Sequence, residues 1–117
     1  MIPRTELGTL RDAWADERSR VVQQIADLEQ RFDDIVSAAA LTSTDDEHDP
    51  EGATIAYERA QVWALCQQAR LDLAAIDEAM PALARGELPR CHGCRGSIGS
   101  ERLLALPGVR TCIRCAS

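Results

Sequence analysis

Two pairs of cysteines near the C-terminal end restrict what this chain of 117 residues can become: Cys91-His92-Gly93-Cys94, then 17 residues, then Cys112-Ile113-Arg114-Cys115. Two residues between thiols let one tight turn aim both sulfurs at a single ion, and the intervening loop brings the second pair round to complete a tetrahedron. The spacing specifies a structural Zn²⁺ site with Cys91, Cys94, Cys112 and Cys115 as its ligands. Four thiolates leave the ion no open position for water, so such a site serves folding and not hydrolysis. The tail is too short to build a core unaided, and metal binding can supply on the order of 10 kcal/mol of folding free energy. His92, between the first two thiols, reads as a surface residue and not as a fifth ligand. Metal-bound thiols fit a reducing compartment, so a cytoplasmic protein is expected.

Upstream of the cysteines the pattern is helical. From about Leu7 to Ala40 there is no proline, and Trp14, Val21, Ile25, Leu28, Phe32, Ile35 and Ala39 recur in steps of three and four, with Arg11 and Arg18 at seam positions near the start. That is coiled-coil spacing with a weakened beginning. At about 1.5 Å per residue, a helix over residues 6–41 would be on the order of 50 Å long. The segment 42–52 interrupts it with cap formers, acids and a proline, and must be a loop. Asp49 before Pro50 reads as an N-cap followed by proline at the first helical position, where the missing N–H costs nothing. A second seam then runs through Ile55, Val62, Cys66, Ala69, Leu73, Ile76, Met80 and Leu83, predicting a helix over about 50–85. Trp63, Leu65 and Leu71 lie beside this stripe, available to pack against whatever else meets it. Pro81 is expected to kink or loosen the last turns, and Gly86 to cap them. Cys66 sits on the seam, where a thiol behaves as a small apolar side chain.

The predicted fold is therefore mainly α: a long antiparallel helical hairpin (residues 1–86) with an acidic tip, followed by a small four-cysteine zinc finger (87–117). Aromatic residues make up only 3% of the chain, which argues against a large globular core.

Charge is distributed unevenly. Residues 1–90 hold 18 acids and 9 arginines, whereas residues 91–117 hold one glutamate and four arginines, which together make the net charge of −6. An acidic body repels a phosphate backbone, so wrapping of nucleic acid along the chain is excluded. The tail's net charge of +3, from Arg95, Arg102, Arg110 and Arg114 less Glu101, is nearly offset by the charge of about −2 left on a four-thiolate zinc. Within the tip loop Asp45, Asp46, Glu47, Asp49 and Glu51 crowd into seven residues without a compensating base. Helix-start preferences account for Asp49 and Glu51; Asp45 and Asp46 suit an encounter with a cation-lined or metal-containing site. No stretch is apolar enough to cross a bilayer. There is no nucleophile–base pair at suggestive spacing and no phosphate-binding loop, so an enzyme is not expected.

This order of parts resembles the DksA/TraR family of bacterial transcription regulators. The resemblance is carried by the two cysteine pairs, Ile98, Arg102-Leu103, Ala105 and Pro107 in the tail, and by Ile76, Ala79 and Gly86 on the approach to it. It implies a monomeric regulator that binds RNA polymerase and inserts the hairpin through the secondary channel. Asp45, Asp46, Asp49 and Glu51 would then lie near the catalytic centre, with no sequence-specific DNA contact and no membrane. Participation of ppGpp is left open. The family's tip pattern D-x-x-D-x-A is met only in part: with Asp46 and Asp49 aligned, Glu51 replaces the alanine. Arg95 stands where glycine usually follows the second cysteine, and Leu88-Pro89 where an aromatic–glycine pair is usual. The alternatives are a zinc-ribbon module that binds nucleic acid through the tail arginines, and a coiled-coil adaptor.

Overall fold

The structure, a computed structural model, describes residues 4–41 and 50–116, without the side chains of 41, 50 and 51. It contains α1 (Arg4–Leu41), α2 (Pro50–Ala84) and a short α3 (Ser100–Ala105). Among the described residues no strand forms, and one isolated antiparallel bridge joins Arg90 to Ser97. Helix α2 begins with Pro50 at its first position, as the missing N–H allows. It runs on through Pro81, where a kink or loosening was expected. Pro81 and Asp77 are both exposed, so solvent is at hand for the carbonyl that proline cannot serve.

The chain forms two compact units: residues up to Val21 together with Leu71 onward, and Val22–Arg70. In each, α1 and α2 run antiparallel. In the first, Arg18 of α1 pairs with Asp77 of α2. In the second, Glu29 accepts from Arg70 at 3.0 Å, and the rings of Phe32 and Trp63 lie 5.6 Å apart. Rising numbers on one helix meet falling numbers on the other.

The seams predicted for the two helices are the ones that pack. Within Val22–Arg70, Leu28, Val62, Cys66 and Ala69 are buried, and Ile25, Phe32, Ile35 and Ile55 are half-buried. Trp63 and Leu65 remain exposed beside them. Solvent-facing side chains on α1 pair along the helix, Gln23 with Asp27 and Gln30 with Asp34, the four-residue spacing that supports an exposed helical face.

The first unit departs from the sequence pattern near the start of α1. Arg11 and Arg18 are exposed, and Leu10 takes the buried position instead. The cause is a second neighbour: here α1 meets α3 as well as α2, and the buried stripe turns toward it. Trp14 is wholly buried, and its indole Nε1 donates to the carbonyl of Leu103 in α3 at 2.8 Å. The helical partner of that carbonyl would be the N–H of residue 107, which is a proline and has none. The indole satisfies a group that the finger's own backbone cannot. Gly108, with φ of +85°, brings the following turn against α2: a side chain there would come within 3.2 Å of Ile76.

The end of α2 is capped as predicted. Glu87 N–H donates to Ala82 C=O at 2.8 Å and Gly86 N–H to Leu83 C=O at 3.1 Å, with Gly86 at φ +82°. This is a Schellman motif, which needs a left-handed residue at the Gly86 position. It ends the helix and releases the chain toward the first cysteine.

Replacing Trp14 by phenylalanine removes the indole donor and leaves the buried carbonyl of Leu103 unpartnered. A loss of about 1–3 kcal/mol is expected in urea unfolding of the zinc-loaded protein; an unchanged midpoint would show that water or another donor takes over.

Candidate metal centre

The four cysteines predicted as ligands converge. Their Sγ atoms all lie within 4.8 Å of one another, and those of Cys94 and Cys112 are 3.8 Å apart. A tetrahedron built on Zn–S bonds of about 2.3 Å has edges of about 3.8 Å, so the cage has the size that zinc requires. Cys91 and Cys112 are buried and Cys94 is exposed. One pair thus closes the site from within and the other faces solvent.

Backbone amides prepare the sulfurs. The N–H groups of Gly93 and Cys112 both point at Cys91 Sγ, at 3.3 Å each, and Gly96 N–H points at Cys94 Sγ at 3.4 Å. Gly93 lies so close to Cys115 that a Cβ would stand 3.0 Å from its sulfur. Backbone donors, first that of Cys112 and then that of Cys94, push the Cys91 thiol down to about 6 against the opposing effect of burial. The Cys112 thiol is lowered as well, chiefly by the backbone N–H of Cys115. Cys115 moves the other way, up to about 12, chiefly through its contact with the Cys112 thiol, then with those of Cys91 and Cys94, and burial adds to the effect. A zinc ion bound among the four would hold them all as thiolates.

His92 is exposed, as expected of a residue that is not a ligand. Arg102 and Arg110 are engaged within the protein. Arg102 donates to the carbonyl of Thr111 at 2.9 Å, and Arg110 pairs with Glu78 of α2 at 2.8 Å. Arg95 is the one non-glycine residue with positive φ among the described residues, at 61°, the position where the family's usual glycine is missing. Asp45, Asp46 and Asp49 lie outside the described residues, as does the side chain of Glu51, whose backbone belongs to the first turn of α2.

Sequence reasoning passed over α3, Leu10 and Glu78. The breakers Gly99 and Pro107-Gly108 around an Arg-Leu-Leu run were a readable signal for α3. Glu78 carried none, since an exposed acid on a helix is ordinary.

Residues 86–117 match the family described as the prokaryotic dksA/traR C4-type zinc finger. The tail is a zinc finger of the DksA/TraR type. Its four-cysteine cage is a structural zinc site. Beyond the finger, the chain shares its fold with the solved structure of transcription factor DksA2 from Pseudomonas aeruginosa. The TM-score is 0.73 at 23% identity, with 97% of this chain and 81% of that chain covered. No curated protein sequence matches the chain. The resemblance read from the sequence thus holds in the finger and in the arrangement of helices. No helix among the described residues is long and apolar enough to cross a membrane.

Two outcomes are expected. Zinc uptake at neutral pH releases protons from the thiols, so the calorimetric heat differs between buffers of different ionisation enthalpy; equal heats would show that no proton leaves. Arg95→Gly relieves the left-handed backbone and raises stability by about 0.5–1 kcal/mol after glycine's larger loss of freedom is subtracted, seen as a higher melting temperature of the zinc-loaded protein.

Proposed function

We propose that this chain is a noncatalytic regulator of transcription that binds bacterial RNA polymerase and presents the acidic connection between α1 and α2 to the enzyme's secondary channel. The observation that carries the reading is the pairing of a DksA/TraR-type C4 finger with two long antiparallel helices in the fold of transcription factor DksA2. The physical logic is one of reach and charge. Helices of 38 and 35 residues can carry a loop far from the metal centre. The loop between them holds Asp45, Asp46, Glu47 and Asp49, with Glu51 just inside α2. Such a loop is suited to a site that handles metal ions and polyphosphates, where added carboxylates alter the local field. Asp45, Asp46, Asp49 and Glu51 are the residues to which we assign this contact.

The nucleic-acid-binding alternative draws less support. Arg102 and Arg110 spend their guanidinium groups on Thr111 and Glu78, which depletes the cationic face that a phosphate backbone would need.

Co-elution of the purified protein with polymerase core enzyme is the first test. Asp49→Ala is expected to leave that association intact while changing transcript yield in a defined transcription reaction. Deletion of residues 42–52 should abolish the effect on yield. Wild-type protein that saturates the polymerase and leaves transcription unaltered would refute the proposal.

A further inference from the structure

One carboxylate on α2 stands beside both halves of the zinc finger. Glu78 Oε2 forms an ion pair with Arg110 Nη2 at 2.8 Å, and Glu78 Oε1 faces His92 Nε2 across 3.9 Å. The two finger residues are also joined to each other, because the backbone N–H of His92 donates to the carbonyl of Arg110 at 2.8 Å. His92 sits between Cys91 and Cys94, and Arg110 stands two residues before Cys112. His92 therefore belongs to the turn that aims one pair of thiols, and Arg110 to the segment that leads into the other. Two residues before Arg110, Gly108 is seated against Ile76 of the same helix, so closely that a Cβ there would stand 3.2 Å from the Ile76 side chain. The stretch leading into Cys112 is thus fixed to α2 twice, once by backbone approach and once by charge.

We infer that Glu78 is a positioning residue for the zinc site: through Arg110 and His92 it holds the two cysteine-bearing turns at the spacing the ion requires, and so slows loss of the metal. Glu78 is not a ligand and touches no sulfur. Its action is geometric and passes through the two finger residues. A four-thiolate site loses its ion when the two pairs part, since each pair alone leaves half of the coordination sphere open. A bridge from a rigid helix to both turns opposes that motion. Groups that orient ligands from outside the coordination sphere change metal affinity by about 10–100-fold when they contact the ligands themselves. Glu78 acts one residue further out and is half exposed, with a side-chain accessibility of 54%, so its effect is smaller.

Charge alone predicts the opposite sign. Removing the carboxylate would leave Arg110 as an unpaired cation beside a cluster of net charge about −2, which would favour retention of the thiolates and their ion. The direction of the change therefore separates positioning from electrostatics.

The test is the rate at which the full-length zinc-loaded chain gives up its metal to excess chelating dye. Glu78→Gln is expected to speed zinc transfer by about threefold to tenfold, a smaller effect than that of a direct outer-shell partner. Glu78→Gln with Arg110→Gln should be no faster than Glu78→Gln alone, because residues acting as a unit are not additive. Asp77→Asn is the control: it breaks the neighbouring ion pair with Arg18, which does not touch the finger, and is expected to leave the rate unchanged. Far-UV circular dichroism of each variant verifies that α1 and α2 persist. If Glu78→Gln transfers zinc no faster than wild type, or if Asp77→Asn accelerates transfer equally, the inference is overturned.

Discussion

Four sulfur atoms held within 4.8 Å of one another cannot all carry negative charge unless a cation stands among them. That constraint organises the C-terminal part of the molecule. Backbone N–H groups draw Cys91 and Cys112 toward the thiolate, while the neighbouring sulfurs push the Cys115 thiol the other way. With metal, the same geometry becomes a closed tetrahedral site in which a short polypeptide is crosslinked at four points. The finger has few apolar side chains to bury, and Ile98 and Leu103 are the principal ones. Its persistence as a folded unit rests on the ion and on what the helices supply.

The helices supply a great deal. Trp14 of α1 caps a carbonyl of α3 that Pro107 leaves without a partner. Ile76 of α2 receives the backbone at Gly108, and Glu78 one turn-face away accepts Arg110. Trp14, Ile76, Leu83 and Leu103 are all less than 2% exposed, and each buried side chain of this kind contributes roughly 1.5–3 kcal/mol. Finger and adjacent helix ends therefore form one core, and the compact unit that contains the finger also takes in α1 up to Val21 and α2 from Leu71. The remaining helical segments make a second, simpler unit held by paired seams, by Phe32 against Trp63 and by Glu29 with Arg70. Exposed ion pairs of this sort set register more than they add stability.

Some features were legible from local chemistry alone. Pro50 at a helix start, Gly86 at a helix end and the periodic seams of α1 and α2 each follow from rules that involve only neighbouring residues, and each appears where expected. The exchange of Leu10 for Arg11 in the core was not legible. A seam read by spacing assumes one partner helix, whereas the start of α1 has two, and the second is a six-residue helix too short to announce itself by periodicity. The continuation of α2 through Pro81 is similar in kind: proline removes a donor, but whether that matters depends on what faces the freed carbonyl.

The metal site, the two long helices and their antiparallel pairing follow from the order of residues, because thiol spacing and heptad repetition are properties of a chain read along its length. How the finger is held follows from contacts that folding creates. Trp14 lies 89 residues from Leu103, and Glu78 is an ordinary surface acid until the fold brings Arg110 and His92 to it. Contacts between distant segments depend on the direction in which each element leaves its last turn, and no local pattern of residues encodes that direction.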